Sequence, residues 1–146
     1  MPEISGEEIL RMMQGQMPPN LKIPPPIYYE LGGEILGFDP EAQTLRAKYP
    51  VQARFQNVFG FLQGGMLVTV MDNVIGPLSL LLGVASVTSS FNTQYLRPVT
   101  PEDEYLLVEA RLVQRTRRML HFHATVSNAA GKPVALGQAI QTVVEG

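Results

Sequence analysis

The 146-residue chain contains no cysteine and no tryptophan, and only 16% of its residues are charged. Without cysteine it can form no disulfide, no thiolate metal site and no nucleophilic thiol. Its two histidines, His121 and His123, lack a third ligand nearby in the sequence, so we expect neither a metal nor a cofactor. The net charge of −2 argues against a nucleic-acid partner, because phosphate recognition needs a clear basic excess.

The length and the 45% hydrophobic content suit one globular domain with a substantial core. The low charge indicates that another subunit covers part of the surface. The N-terminus lacks the basic and apolar regions of a secretory signal, so we expect a cytoplasmic protein. Residues 64–83 are long and apolar enough to cross a bilayer, but a central Asp72 favours a buried helix, and we expect no membrane partner.

Residues 1–26 are predicted to form an N-terminal helix and a proline-rich arm that precede the main domain. Ser5 and Glu8 have the spacing of a capping box, and the apolar residues that follow predict a short amphipathic helix ending near Gln16. Five prolines between positions 18 and 26 predict an extended arm.

Residues 27–146 are predicted to form an α+β domain in which about six antiparallel strands wrap one long helix. A hairpin is expected over 27–51, with Gly32 and Gly33 marking a bulge, and a loop should then lead into the helix at 64–83. Four further β-like segments, separated by turn sequences, follow to the end of the chain. A helix that is apolar nearly all round must be enclosed, and the six strands can enclose it.

Asp72 is the only charged residue between Gly64 and Gly83. A carboxylate in apolar surroundings costs several kcal/mol unless it is paired, hydrogen-bonded or neutralised. From this residue alone, a functional role and a structural one, such as a cap or a buried hydrogen bond, both stay open.

The segment from Asn57 to Asp72 resembles the hotdog-fold acyl-CoA thioesterases, most closely the branch typified by the phenylacetate-pathway thioesterase. In that branch an Asn precedes a His-Gly-Gly at the start of the central helix, and an acid follows the first glycine by eight residues. Gly64 and Gly65 stand at those spacings, but Gln63 replaces the His. Related 4-hydroxybenzoyl-CoA thioesterases can carry a Gln near this place.

Further along, the same branch has a Ser or Thr opening the next strand and then an aromatic-hydrophobic-x-Pro element. Thr88 and the sequence from Tyr95 to Pro98 look like these features. The resemblance implies a hotdog fold, hydrolysis of an acyl-CoA or aroyl-CoA thioester to the free acid and CoA, and a homodimer, often paired into a tetramer. The alternative is a non-catalytic hotdog module that binds acyl-CoA or only assembles; a hotdog dehydratase ranks last, because it needs a His ahead of the helix.

The resemblance and the chemistry of the reaction also assign candidate site residues. Asp72 would be the base or nucleophile, and the Gly65 N–H would stabilise the developing oxyanion at the helix start. The remaining candidates each have a structural alternative, such as ordering a loop, filling a strand or forming a charged turn. The candidates for catalysis are Gln63, Asn57 and Thr88. The candidates for binding CoA are Gly64, Arg117 and Arg118; the two arginines lie at a turn that also contains Arg115.

Helix geometry adds a requirement for two subunits. Gly65 and Asp72 are seven residues apart, which is about 10 Å along a helix at 1.5 Å per residue. Both cannot reach one carbonyl carbon, whose partners should lie about 3 Å away. Two such helices that meet antiparallel across a two-fold axis would bring Gly65 of one copy beside Asp72 of the other, so we expect an obligate dimer with two equivalent sites.

Overall fold

A computed structural model describes residues 3–16 and 21–144 of the chain. It confirms an α+β fold with one long helix and an antiparallel sheet. Single 3-10 turns lie at Ala53–Phe55 and Pro101–Asp103. The helices are α1 (Gly6–Gln16), α2 (Pro26–Leu31) and α3 (Gly64–Leu81). The strands are β1 (Ile4–Ser5), β2 (Glu34–Asp39), β3 (Thr44–Pro50), β4 (Ser86–Tyr95), β5 (Tyr105–Arg115), β6 (Met119–Asn128) and β7 (Pro133–Val143).

The strands form one sheet in the order β1-β2-β3-β5-β6-β7-β4. Every neighbouring pair is antiparallel, so the predicted hairpin β2–β3 and the run of β5 to β7 are confirmed. The described sheet has seven strands where six were expected, because the two residues of β1 pair with Gly37 and Phe38 on β2. β4, which follows α3, pairs only with β7 within the described residues and lies at the edge of the sheet.

The long helix α3 packs against β3, β4, β5 and β6. Its buried residues recur at helical spacing on one face: Leu67, Val70, Met71, Val74, Ile75, Leu78 and Ser79. A side chain at Gly137 on β7 would place its Cβ 2.7 Å from the sulfur of Met71, so glycine lets the helix approach the sheet closely. The helix is long and apolar enough to cross a membrane by length and composition, but here it is the core helix of the fold.

The N-terminal helix α1 ends at Gln16, as the sequence predicts. The capping box is also present, because the Ser5 hydroxyl accepts from the Glu8 N–H and the Glu8 carboxylate accepts from the Ser5 N–H. Ile9 and Met13 on α1 are buried in the same core as α3. Of the predicted arm, residues 17–20 lie outside the described part of the chain.

The expectation of a strand over residues 27–31 is wrong, since this segment forms the helix α2. Pro26 occupies the first turn, where a missing N–H costs nothing, and Gly32 ends the helix with a left-handed φ of 68°. The burial of Tyr28 and Leu31 outweighs the strand preference of the local sequence. Gly32 and Gly33 therefore end a helix, and the bulge of this hairpin lies between Ile35 and Gly37.

Candidate active site

Asp72 lies on the face of α3 that the sheet leaves uncovered, and its side chain is exposed in the single chain. Its surroundings are therefore less apolar than the sequence indicates. The hydroxyl of Thr88, near the start of β4, donates a hydrogen bond of 2.6 Å to Oδ1 of Asp72. The two residues are brought together because β4 follows α3 after a short turn and runs back beside it.

A chain of polar side chains connects this pair to the core. Gln141 on β7 is only 1% exposed, and its amide nitrogen donates to the Thr88 hydroxyl at 2.6 Å. The Gln141 carbonyl oxygen accepts from the hydroxyl of Ser86 at 3.2 Å, and Ser86 in turn lies 2.6 Å from the buried hydroxyl of Ser79. The Gln141 amide is fixed by hydrogen bonds at both its oxygen and its nitrogen. The Thr88 oxygen therefore accepts a hydrogen bond from Gln141, and the Thr88 hydroxyl proton is directed toward Asp72.

The start of α3 presents two backbone amides without protein partners. Among the described residues, neither the Gly64 N–H nor the Gly65 N–H donates a hydrogen bond, and Gln63 provides no side-chain cap. A Cβ at Gly65 would meet nothing within 4 Å, whereas one at Gly64 would lie 3.2 Å from Tyr95. The Gly65 amide thus combines a free donor, the positive end of the helix dipole and open space for a ligand.

Asn57 orders the loop ahead of α3. Its side-chain oxygen accepts from the N–H groups of Phe59 and Phe61 at 2.9 and 3.2 Å, and its own N–H donates to the Phe61 carbonyl. Asn57 also lines a second cavity of about 310 Å³ beside Gly64. The Gln63 side chain is exposed, and it forms no hydrogen bond within residues 3–16 and 21–144.

A cavity of about 510 Å³ adjoins Asp72. One wall is the open face of α3 from Thr69 to Leu80, and the opposite wall is α1 together with residues 21–28. Local sequence pattern does not predict that the N-terminal residues line this cavity. The described lining residues are mostly apolar. Of the polar ones, Thr69, Asp72, Asn73 and Ser86 lie on α3 or at the start of β4, and Lys22 and Tyr28 lie on the opposite wall.

The three arginines of the β5–β6 turn, Arg115, Arg117 and Arg118, are exposed. The Arg118 carbonyl accepts from the Val143 N–H at 2.8 Å, and the next residue, Val144, lines the large cavity. The turn therefore lies near that cavity, although the three arginines are not among its described lining residues. In the described part of the chain, no group of three acidic or histidine side chains could hold a metal ion.

Gln141 was not identified from the sequence as a partner of Thr88, although the pattern of β7 contains a signal that it is buried. In β7 every second position, namely Ala135, Gly137, Ala139 and Gln141, is buried on the inward face of the strand. A glutamine that continues an inward-facing row must find hydrogen-bond partners in the core. The strand pairing that supplies them, β4 beside β7, joins residues more than fifty positions apart and cannot be read from local pattern.

A family model described as "Thioesterase superfamily" matches residues 59–135, more than half of the chain. Among solved structures, a putative thioesterase from Ralstonia eutropha JMP134, described as a phenylacetic acid degradation-related protein, is 32% identical and has a TM-score of 0.78. That match covers 92% of this chain and 98% of the Ralstonia chain. No curated protein sequence matches the chain.

Two further structures share the fold at lower identity. The PaaI protein of the E. coli phenylacetic acid degradation operon is 20% identical with a TM-score of 0.79, over 97% of this chain and 98% of its own. A hypothetical thioesterase from Streptococcus pneumoniae TIGR4, solved with coenzyme A, is 21% identical with a TM-score of 0.71, over 77% and 85%. Alanine variants of a thioesterase from that strain, one at an aspartate and one at a threonine, have also been solved.

Proposed function

The chain belongs to the thioesterase superfamily, and from this premise we propose that it hydrolyses acyl-CoA thioesters to a free acid and CoA. The observation that carries the proposal is the hydrogen bond from Thr88 to Asp72 at the edge of an apolar cavity. It provides an oriented carboxylate beside a space that can hold an acyl group. The S. pneumoniae relative that was solved with coenzyme A supports the same class of substrate.

In this mechanism Asp72 acts as the general base. Thr88 occupies Oδ1, which leaves Oδ2 to take a proton from water as the water oxygen attacks the thioester carbon. The carbonyl oxygen becomes negative, and the Gly65 N–H stabilises it. Collapse of the intermediate breaks the carbon–sulfur bond, and the proton held by Asp72 passes to the departing thiolate of CoA.

The spacing of the aspartate and threonine gives independent support. Asp72 and Thr88 are sixteen residues apart. In the S. pneumoniae thioesterase variants, the aspartate and the threonine that were replaced by alanine are also sixteen positions apart. The same pair of residue types at the same separation was therefore chosen for replacement in a protein with this fold.

The active site in this proposal is shared by two copies of the chain. Gly65 and Asp72 are both exposed, but they are about 10 Å apart along one helix. An antiparallel pairing of two α3 helices would bring the Gly65 amide of one copy to Asp72 of the other. It would also cover Gly65 and Asp72, the two residues of α3 that are exposed in a single chain.

The direct test is the substitution Asp72→Asn, which keeps the shape of the side chain and its ability to accept from Thr88. We expect kcat on acyl-CoA to fall by a factor on the order of a thousand, because the base is lost. Glu102→Gln, a carboxylate-to-amide change at another exposed position, is the matched control and should leave kcat unchanged. Equal rates for Asp72→Asn and the wild type would contradict the proposal.

A shared site can be tested by mixing two inactive variants. Gly65→Pro removes the candidate oxyanion donor, because proline has no backbone N–H. Coexpression of Gly65→Pro with Asp72→Asn should restore about a quarter of wild-type activity, because half the dimers are mixed and each has one intact site. If each chain formed its own site, mixing would restore nothing.

The second candidate function is a non-catalytic module that binds acyl-CoA. The observation that favours it is Gln63, which stands where the resembling branch carries a His and whose side chain is unbonded in the described structure. Calorimetry with a non-hydrolysable alkyl-CoA thioether, beside an assay with the matching thioester, separates the two functions. Tight binding without turnover would favour the module, and turnover would exclude it.

A further inference from the structure

We propose that the cavity beside Asp72 binds the acyl group and selects an uncharged acyl chain of medium length. Its outer wall, opposite α3, is the N-terminal segment, by which we mean α1 and residues 21–28. This inference rests on the proposed thioesterase function, and it adds the substrate class and the elements that select it. We call this cavity the acyl pocket. Its apolar lining includes Leu10, Met13, Ile23, Ile35, Leu80 and Val144.

The size and polarity of the acyl pocket fit such a chain. Its volume of about 510 Å³ lies within the range of roughly 300–1,000 Å³ that is usual for small-molecule sites. Polar lining groups are concentrated at Thr69, Asp72, Asn73 and Ser86, on α3 and at the start of β4. A thioester carbonyl at this polar side would direct the acyl chain toward the aliphatic residues of the N-terminal segment.

Charge argues against a dicarboxylic acyl group such as succinyl. Lys22 is the only cationic residue among the described lining residues, and its side chain is exposed at the rim. A carboxylate at the far end of the chain would therefore lose water without gaining a buried partner, which costs free energy. An uncharged chain loses no such hydration and gains the contact with the apolar lining.

The outer wall of the pocket is fixed by core packing and by a hydrogen bond. Ile9 and Met13 of α1 are 0% and 3% exposed and belong to the main core. The side-chain amide of Gln14 donates to the Ile23 carbonyl at 3.4 Å and so connects α1 to the segment that follows it. About half of the lining residues lie between positions 10 and 28, before the residues that the family model matches.

Gly76 gives a way to fill the pocket without disturbing the core. It lies one helical turn after Asp72 on the same face of α3, it lines the pocket, and a Cβ there would meet nothing within 4 Å. A leucine at this position would therefore extend into the pocket. Gly76→Ala is the matched control, because it makes the same backbone change but adds only one methyl group.

The experiment measures kcat/KM of the full chain for acetyl-, hexanoyl-, decanoyl- and succinyl-CoA. We expect the wild type to favour decanoyl- and hexanoyl-CoA over succinyl-CoA. Gly76→Leu should lower kcat/KM for decanoyl-CoA at least about tenfold relative to acetyl-CoA, while Gly76→Ala keeps the wild-type ratio. A decanoyl-to-acetyl ratio that Gly76→Leu leaves unchanged, or a wild-type preference for succinyl-CoA, would overturn the inference.

A second experiment does not depend on turnover and uses the natural absence of cysteine. Leu10→Cys places a single thiol in the outer wall, and Met12→Cys, on the same helix but outside the pocket lining, is the control. The thioether S-decyl-CoA should slow alkylation of the thiol at position 10 severalfold and leave position 12 unaffected, and free CoA should protect neither. Equal alkylation of the Leu10→Cys protein with and without S-decyl-CoA would overturn the inference.

The two experiments separate this inference from the proposed function. Protection of position 10 in a protein that hydrolyses no acyl-CoA would support the acyl pocket and contradict the thioesterase proposal. Turnover of acyl-CoA with no protection and no effect of Gly76→Leu would support the thioesterase proposal and contradict the acyl pocket.

Discussion

The two faces of α3 have opposite properties. The face toward the sheet is built from side chains that are almost completely buried, among them Met71, Ile75 and Leu78, each 0% exposed. The other face carries Gly65, Asp72 and, one turn later, Gly76. These residues are small or charged, and the described sheet does not cover them.

This difference shows how one helix can serve both folding and function. The sheet-side residues are constrained by packing, because a cavity or an extra methylene in a core costs free energy. The open face has no such constraint within one chain, so it can retain glycines and a carboxylate that contribute little to folding. The candidate chemistry lies on that face, and the buried face fixes its position.

The largest expected effect is a difference in the free energy of unfolding between variants on the two faces of α3. Ile75→Ala should lower the free energy of unfolding by about 2–5 kcal/mol, because it removes a fully buried side chain. Thr69→Ala on the open face is the control and should change it by less than about 1 kcal/mol. Urea unfolding of both variants measures the difference. Similar losses for the two would show that the faces are not distinct in the free protein.

The next effect is on activity. Thr88→Val removes the hydroxyl that donates to Asp72, and kcat should fall on the order of a hundredfold, whereas Thr88→Ser, which keeps the hydroxyl, should retain most of the rate. Thr88→Ser should leave the free energy of unfolding within about 1 kcal/mol of the wild type, whereas Thr88→Val also leaves the buried Gln141 amide without its acceptor and should lower it by about 1–3 kcal/mol. A Thr88→Ser variant as slow as Thr88→Val would contradict the role of the hydroxyl.

Much of this arrangement follows from sequence pattern. The length and apolarity of residues 64–83 predict a core helix, and the position of Asp72 within it marks the candidate site. The turn sequences after α3 predict the four strands that follow it. What local pattern could not give was α2, where proline and glycine at the two ends outweighed the strand preference of Ile27 and two tyrosines.

Contacts between distant residues were also beyond local pattern. The neighbour of Thr88 is Gln141 because β4 pairs with β7, and that pairing depends on how the whole sheet closes. The acyl pocket has the same origin, since Leu10, Met13 and the lining residues between 21 and 28 reach the cavity beside Asp72 only through the packing of α1 against β2 and the core. The Asp72 side chain was expected in apolar surroundings but lies on the open face, which sequence hydrophobicity alone does not reveal.

A smaller effect on activity is expected at Gln141, which we interpret as a positioning residue. Gln141→Leu leaves Thr88 free to donate elsewhere, so kcat should fall about tenfold with KM nearly unchanged. Gln141→Glu cannot donate to Thr88 when ionised but can when protonated, so its kcat relative to that of the wild type should rise as the pH falls toward the pKa of the glutamate. The matched control is Gln138→Leu on the outward side of β7, which should leave kcat unchanged. A ratio of Gln141→Glu to wild-type kcat that does not change with pH would contradict the positioning role.

The smallest effect is expected where the two faces meet. The hydroxyl of Tyr49, on β3, donates at 2.7 Å to Asn73, the residue after Asp72. Burial raises the pKa of Tyr49 above its ordinary value of 10.0, so the folded protein keeps this proton longer than the unfolded chain does. Stability from this group is complete below about pH 10 and is lost as the pH rises from there toward the higher folded pKa.

Tyr49→Phe should therefore cost about 1 kcal/mol at pH 8, through the lost hydrogen bond, and should lose less stability than the wild type between pH 8 and pH 11. Urea unfolding at both pH values measures this difference. Tyr28, whose pKa burial also raises, retains part of the pH dependence in the variant. Tyr29→Phe is the control, because Tyr29 is 67% exposed and its replacement should leave the free energy of unfolding at pH 8 nearly unchanged. If Tyr49→Phe and Tyr29→Phe behave alike, Tyr49 does not connect the buried face to the residues around Asp72.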